Sequence, residues 1–335
     1  MASAPPSGIP HRIVDTLASG FAAPIAVIGL LGLFIARGAY LLSGGYDGSR
    51  GLNASLGVLL VVWTIGFAGR CLQPDSRLAA AIEALSLFFL LSSFTALAAA
   101  ASAVGSGAYV DPLLDSIDKT LLPFFDWVAV ATALPRYPLL YLALNHIYVA
   151  LNWQPFLLIA LLLVFGKVRD QVRFITAWAL GLLFCVIPFH WLPALSPYGY
   201  YGISQASMPG NRVGLPWESV SIIEGLRHGQ IQALQLECLS GLITIPSFHA
   251  CGATILAMTF WRYRLLRWPF ALLNLAMALV AVPIGSHYVV DIVAGALVGW
   301  LAVKGATLLE RQARPGSFAR SIEQPLEPVA GVVGR

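Results

Sequence analysis

The stretch HYVVDIVAGALVGWLAVK, from His287 to Lys304, is apolar and long enough to cross a bilayer, yet it opens on a histidine and an aspartate four residues apart. As an α-helix it rises about 27 Å, close to the roughly 30 Å hydrocarbon core. The spacing puts His287 and Asp291 on one face, one turn apart. Gly295 and Gly299 continue that face with residues small enough for a second helix to approach closely. Asp291 can accept a hydrogen bond from one imidazole nitrogen, which fixes the tautomer and aims the other nitrogen outward. A purely structural role is open to this pair, each group satisfying the other between packed helices. Ionisable groups at membrane depth are costly and usually functional, which weighs against that role.

A second phrase, Ile245-Pro246-Ser247-Phe248-His249, reads as a helix start. Ser247 is a good N-cap residue, and Pro246 stops the preceding backbone from continuing a helix. A helix N-terminus offers unpaired N–H groups and the positive end of the dipole, and His249 falls in that first turn. A capped helix with an interfacial histidine is the simpler alternative. Taken together, His249, His287 and Asp291 suit phosphoryl transfer through a phosphohistidine. One imidazole attacks phosphorus, the carboxylate orients it, and the other imidazole protonates the departing oxygen.

The rest of the chain has the same character. Of 335 residues 58% are hydrophobic and 11% charged, with mean hydropathy +0.77. That is about half the charge fraction of a soluble domain. The expected fold is an all-α polytopic integral membrane protein of about eight spans, near 21–42, 55–73, 79–104, 137–166, 172–194, 247–262, 268–284 and 287–308. Residues 1–20 and 309–335 are expected to be cytoplasmic tails, the second disordered. Residues 21–104 are expected to form accessory spans beside a core over 105–308. The net charge of +4 is dispersed and gives no argument for a nucleic-acid partner. Cys71, Cys185, Cys238 and Cys251 form no metal or disulfide pattern, and no motif calls for a cofactor.

With the N-terminus inside, fourteen Lys and Arg fall on the cytoplasmic side and five on the other, Arg37 lying within a span. That bias predicts both termini inside and an extracytoplasmic His249, His287 and Asp291; the expected location is a bacterial inner membrane. The extracytoplasmic connection 105–136 alternates acids with apolar residues and is expected to form an amphipathic interfacial helix, with Asp118 and Asp126 on its polar face. The connection 195–246 runs into the Pro-Ser-Phe-His phrase and is placed to roof a pocket. His146, Asn145 and Gln154 are read as helix-packing groups, and His190 as an interfacial anchor.

The two phrases together resemble the type 2 phosphatidic acid phosphatase superfamily, over roughly 110–308. Its Pro-Ser-x-His motif matches Pro246, Ser247 and His249, and its His-x-x-x-Asp motif matches His287 and Asp291. The resemblance implies a six-helix membrane core, His287 as nucleophile, Asp291 as its orienting partner and His249 as general acid. It also implies a membrane lipid phosphate as substrate. Two cationic motifs of the phosphatase branch are absent. Ala129 stands where a Lys precedes Arg136-Tyr137-Pro138, and Val280 and Ala281 replace a Ser-Arg pair. The inositol phosphorylceramide synthase branch also lacks that Ser-Arg, and its His-Tyr-x-x-Asp phrase is seen here as His287-Tyr288-Val289-Val290-Asp291. Loss of cations favours a singly charged phosphodiester over a monoester dianion, and with it transfer of a headgroup to a lipid alcohol. The candidates for holding the phosphate are Ser247, Arg227, Arg212 and Arg136, although each arginine also fits a solvated loop.

Two other classes use the same residues. Two histidines and an aspartate are also a plausible zinc set. A His/Asp pair can serve a proton-coupled carrier, which predicts inverted halves that the chain does not display.

Overall fold

The computed structural model describes residues 13–14, 16, 20–47, 50–208, 215–234 and 241–312. Among these the chain is almost wholly helical. Three long helices come first: α1 (Ala22–Leu41), α2 (Arg50–Leu72) and α3 (Arg77–Ala103). Ser76 caps α3 by accepting from the Ala79 N–H at 3.3 Å. Its alanine-rich end lets α1 approach so closely that a Cβ at Gly38 would collide with Ala101. The connection 105–136 follows as α4 (Asp111–Leu121) and α5 (Trp127–Ala133). Then come α6 (Pro138–Tyr148), α7 (Gln154–Phe165), α8 (Val168–Phe189) and the short α9 (Ser196–Tyr200). The chain continues through α10 (Leu215–Arg227), α11 (Phe248–Phe260), α12 (Arg267–Val280) and α13 (Val289–Gln312).

Among the described residues five helices are long and apolar enough to span a membrane, with shorter apolar helices at α7, α11 and α12. The protein is an all-α integral membrane protein. The core lies where α3, α8, α11 and α13 meet, around Leu91, Trp178, Leu182, Ile255 and Ala302. At 13 residues α11 is about 20 Å long, so it spans only part of the bilayer.

Several expectations need correction. The span foreseen over 137–166 is broken: a tight turn over Val149–Asn152 separates α6 from α7, and Pro155, lacking an N–H, sits in the first turn after the break. The connection 105–136 is two helices rather than one, and Asp111, Asp115 and Asp118 are buried, while Asp126 is exposed as expected. Helix α13 runs to Gln312, four residues past the expected boundary. His190 is a tie between spans: its ring nitrogens meet the Ser102 carbonyl at 3.0 Å and the Arg37 guanidinium at 3.3 Å. The expected roof is held by a short parallel pairing of β1 (Gly45–Tyr46) with β2 (Ala233–Leu234).

Candidate active site

The two phrases meet because their helices pack backbone to backbone. A Cβ at Gly295 would strike the Ser247 carbonyl oxygen, and one at Gly299 would lie 2.5 Å from that of Cys251. The Ser247 N–H also donates to the Asp291 carbonyl at 3.1 Å, joining the mouth of α11 to the first turn of α13. His249 and His287 thereby come within 6.3 Å, measured between ring centroids. Both line one cavity of about 250 Å³.

His287 Nδ1 lies 3.4 Å from Asp291 Oδ2. That is long for a hydrogen bond, and Nδ1 and Asp291 Oδ1 are both buried without one. Asp291 Oδ2 accepts instead from the Tyr288 N–H at 2.9 Å. Asp291 is wholly buried and His287 is 5% exposed. With Nδ1 turned to the carboxylate, Nε2 is the nitrogen available to the cavity. His249 is fixed by stacking on Tyr148, ring centroids 4.0 Å apart.

The backbone around His287 is held from outside by groups that the sequence reading did not assign to the site. Asp118 accepts from the N–H groups of Val289 at 2.6 Å and Val290 at 2.9 Å. These are otherwise unpaired donors at the start of α13, and a carboxylate there also suits the helix dipole. Asp111 accepts from the Tyr288 hydroxyl at 3.0 Å and the Leu195 N–H at 2.8 Å. Trp127 Nε1 donates to the His287 carbonyl at 3.2 Å. Burial raises the Asp118 and Asp111 carboxyls above the ordinary aspartate range, against the pull of these bonds. Ser286 and Ser196 both take left-handed backbone, φ 59° and 74°, and share a 3.0 Å hydroxyl bond. Strain of this kind next to His287 persists only where the surroundings over-determine it.

None of the described candidates for phosphate binding lines the cavity. Ser247 is buried, and its Oγ accepts from the Ala250 N–H at 3.5 Å as a helix cap. Arg227 lies at the far end of α10, where it bonds Ser106 Oγ and covers the Tyr109 ring at 4.2 Å. Arg136 is exposed after α5, and Arg212 lies outside the described residues. None of the described lining residues is Lys or Arg; the polar ones besides the histidines are Ser92, Thr95, Tyr148, Ser196 and Ser219. Two of these belong to α3, the helix expected to be accessory. Among the described residues no three His, Cys, Asp or Glu side chains form a group that could hold a metal ion. Of the three residues read as helix-packing groups, Gln154 accepts from Asn274 of another helix at 2.8 Å, Asn145 is buried and bonds the Tyr141 carbonyl of its own helix, and His146 is exposed and bonds the Leu142 carbonyl of its own helix.

The sequence model of the PAP2 superfamily matches residues 115–304. The chain belongs to that superfamily. As a PAP2 member it is a phosphatase- or phosphotransferase-type lipid enzyme of the membrane. The matched segment begins within α4 and takes in both histidine phrases, while α1, α2 and α3 lie outside it. No curated protein and no solved structure matches the chain.

Proposed function

We propose that this PAP2 protein is a lipid phosphatase/phosphotransferase that works through a phosphohistidine on the extracytoplasmic side. The observation that carries the reading is the convergence of His249 and His287 on one cavity, with Asp291 behind His287. Nε2 of His287 attacks phosphorus, forming a P–N bond as the bond to the leaving oxygen breaks. His249 gives that oxygen a proton. Asp291 holds the imidazole and stabilises its positive charge. An incoming hydroxyl then loses its proton to His249 and displaces the phosphoryl group, restoring His287.

The lipid-phosphate side of the proposal includes a bacterial inner-membrane location, cytoplasmic termini and a catalytic core over 105–308. Transfer of a phosphodiester headgroup to a lipid alcohol, as in inositol phosphorylceramide synthases, is the sharper form. It draws support from the lack of Lys and Arg among the described lining residues, because a singly charged diester needs fewer cations than a monoester dianion.

The deciding experiment is to trap phosphate on the purified protein with a panel of radiolabelled lipid mono- and diesters. Acid-labile label is expected on the wild type and absent from His287→Ala, which should be inactive. His249→Ala should turn over slower by about 10²- to 10⁴-fold. Retained turnover in His287→Ala would overturn the mechanism.

A further inference from the structure

Helical threonines normally satisfy their hydroxyls on their own helix, and Thr254, Thr259 and Thr307 do so on the carbonyls four residues back, at 2.9, 2.7 and 2.8 Å. Thr95 does not. Its Oγ1 is buried without a hydrogen-bond partner, and the residue is 7% exposed. It lines the cavity that holds His249 and His287. Buried polar groups are rarely left unpaired, and an orphan on a residue that lines a cavity is a candidate contact for whatever fills it. Next to it on α3, Ser92 also lines the cavity but already donates to the Phe88 carbonyl at 2.8 Å.

The chemistry of the occupant follows from the surroundings. The lining includes Ala96, Ala99, Leu182, Ile243 and Phe248, with no Lys or Arg among the described lining residues. A phosphate placed against Thr95 would meet no Lys or Arg of the described lining, and burying an uncompensated charge is far costlier than burying a hydroxyl that finds one partner. An alcohol both donates and accepts, as Thr95 does. Resting on the lipid-phosphotransfer reading of this cavity, we infer that Thr95 binds the uncharged hydroxyl of a lipid alcohol, so that α3 sets specificity for the alcohol side of the reaction. Because α3 lies outside the segment that matches the superfamily, this wall is supplied by the chain's additional helices. The alcohol is either the incoming acceptor or the leaving portion of the donor, and the two share the same chemistry.

The test compares the full-length wild type with Thr95→Val, which keeps the shape, and Thr95→Ser, which keeps the hydroxyl. The probes are radiolabelled 1,2-dioctanoylglycerol and its 3-O-methyl ether, and equilibrium binding is measured in detergent, independently of turnover. Wild type and Thr95→Ser are expected to prefer the alcohol by about tenfold, and Thr95→Val to bind both alike. Equal binding of the two probes by the wild type overturns the inference. So does a preference that survives in Thr95→Val, or a Thr95→Ser that behaves like Thr95→Val. Hydrolysis of dioctanoyl phosphatidate, followed in parallel, separates the two sources. A raised KM in Thr95→Val assigns the hydroxyl to the leaving side, and an unchanged one assigns it to an acceptor. Should the wild type cleave no lipid phosphate while the alcohol preference stands, the catalytic reading falls and the Thr95 site does not.

Discussion

Tyr148 lies flat against His249, with planes 18° from parallel and centroids 4.0 Å apart. The contact fixes the plane of an imidazole that belongs to the first turn of α11, whereas His287 has the Asp291 carboxylate 3.4 Å from its Nδ1. Tyr148→Phe keeps the stacking face and is expected to retain near wild-type kcat. Tyr148→Leu frees the ring, and a misplaced proton donor is expected to lower kcat by about tenfold to a hundredfold. Equal kcat in the two variants would show that the stack does not position His249.

Asp118 is expected to matter without touching substrate. Asp118→Ala orphans the N–H groups of Val289 and Val290, and thermal unfolding in detergent should show a loss of about 1–3 kcal/mol for each. His287 is two residues before Val289, so kcat should fall as well, with little change in KM. Loss of stability without loss of kcat would make Asp118 a cap and nothing more.

The same carboxyl gives a pH signature. Burial raises its pKa above the ordinary value, so between those two pH values the folded protein holds a proton that the unfolded chain has released. Its contribution to stability is therefore greatest below the ordinary aspartate pKa and declines as pH rises through the raised one. The stability of wild type minus that of Asp118→Asn is expected to decline over that window. A difference that grows with pH would reverse the sign and the argument.

Sidedness can be probed at exposed positions. Ser247 and Ser286 are buried, which makes them poor labelling sites, whereas Ser116 and Arg264 are exposed. In intact cells, a cysteine at position 116 is expected to react with an impermeant thiol reagent, and one at 264 only after permeabilisation. The reverse pattern would place His249 and His287 on the cytoplasmic side.

Excess chelator is expected to leave turnover unchanged, because the proposed steps use two imidazoles and a carboxylate and no Lewis acid. Chelator-sensitive turnover restored by zinc would favour the metalloenzyme reading of the same residues.

The histidine pair was legible in the sequence because its causes are local. A spacing of four, a serine cap after proline and two glycines on one face prescribe two helix mouths and a close crossing. The grip on His287 was not, because it depends on which element lands against α13. Alternating acids in 105–136 announce a polar face, but nothing in the alternation says that Asp118 meets backbone N–H groups 171 residues away. Arg227 was a candidate because of its proximity in sequence to Pro246, and sequence could not say that its guanidinium would lie on the Tyr109 ring and bond Ser106. Thr95 gave no signal at all, since one threonine in an apolar span is unremarkable until its hydroxyl is seen to lack a partner.

At the glycine crossing of α11 and α13 the backbones that bear the histidines meet with Ala250 and Thr254 beside them, and no side chain can be added at either glycine without a collision. The histidine pair is in effect cast as a single piece. Diversification has to happen around it, in the walls from α3 and α10, where side chains meet the cavity singly and can be exchanged one at a time. A designer seeking a new lipid preference would leave Gly295 and Gly299 untouched and vary positions 92, 95, 216 and 219.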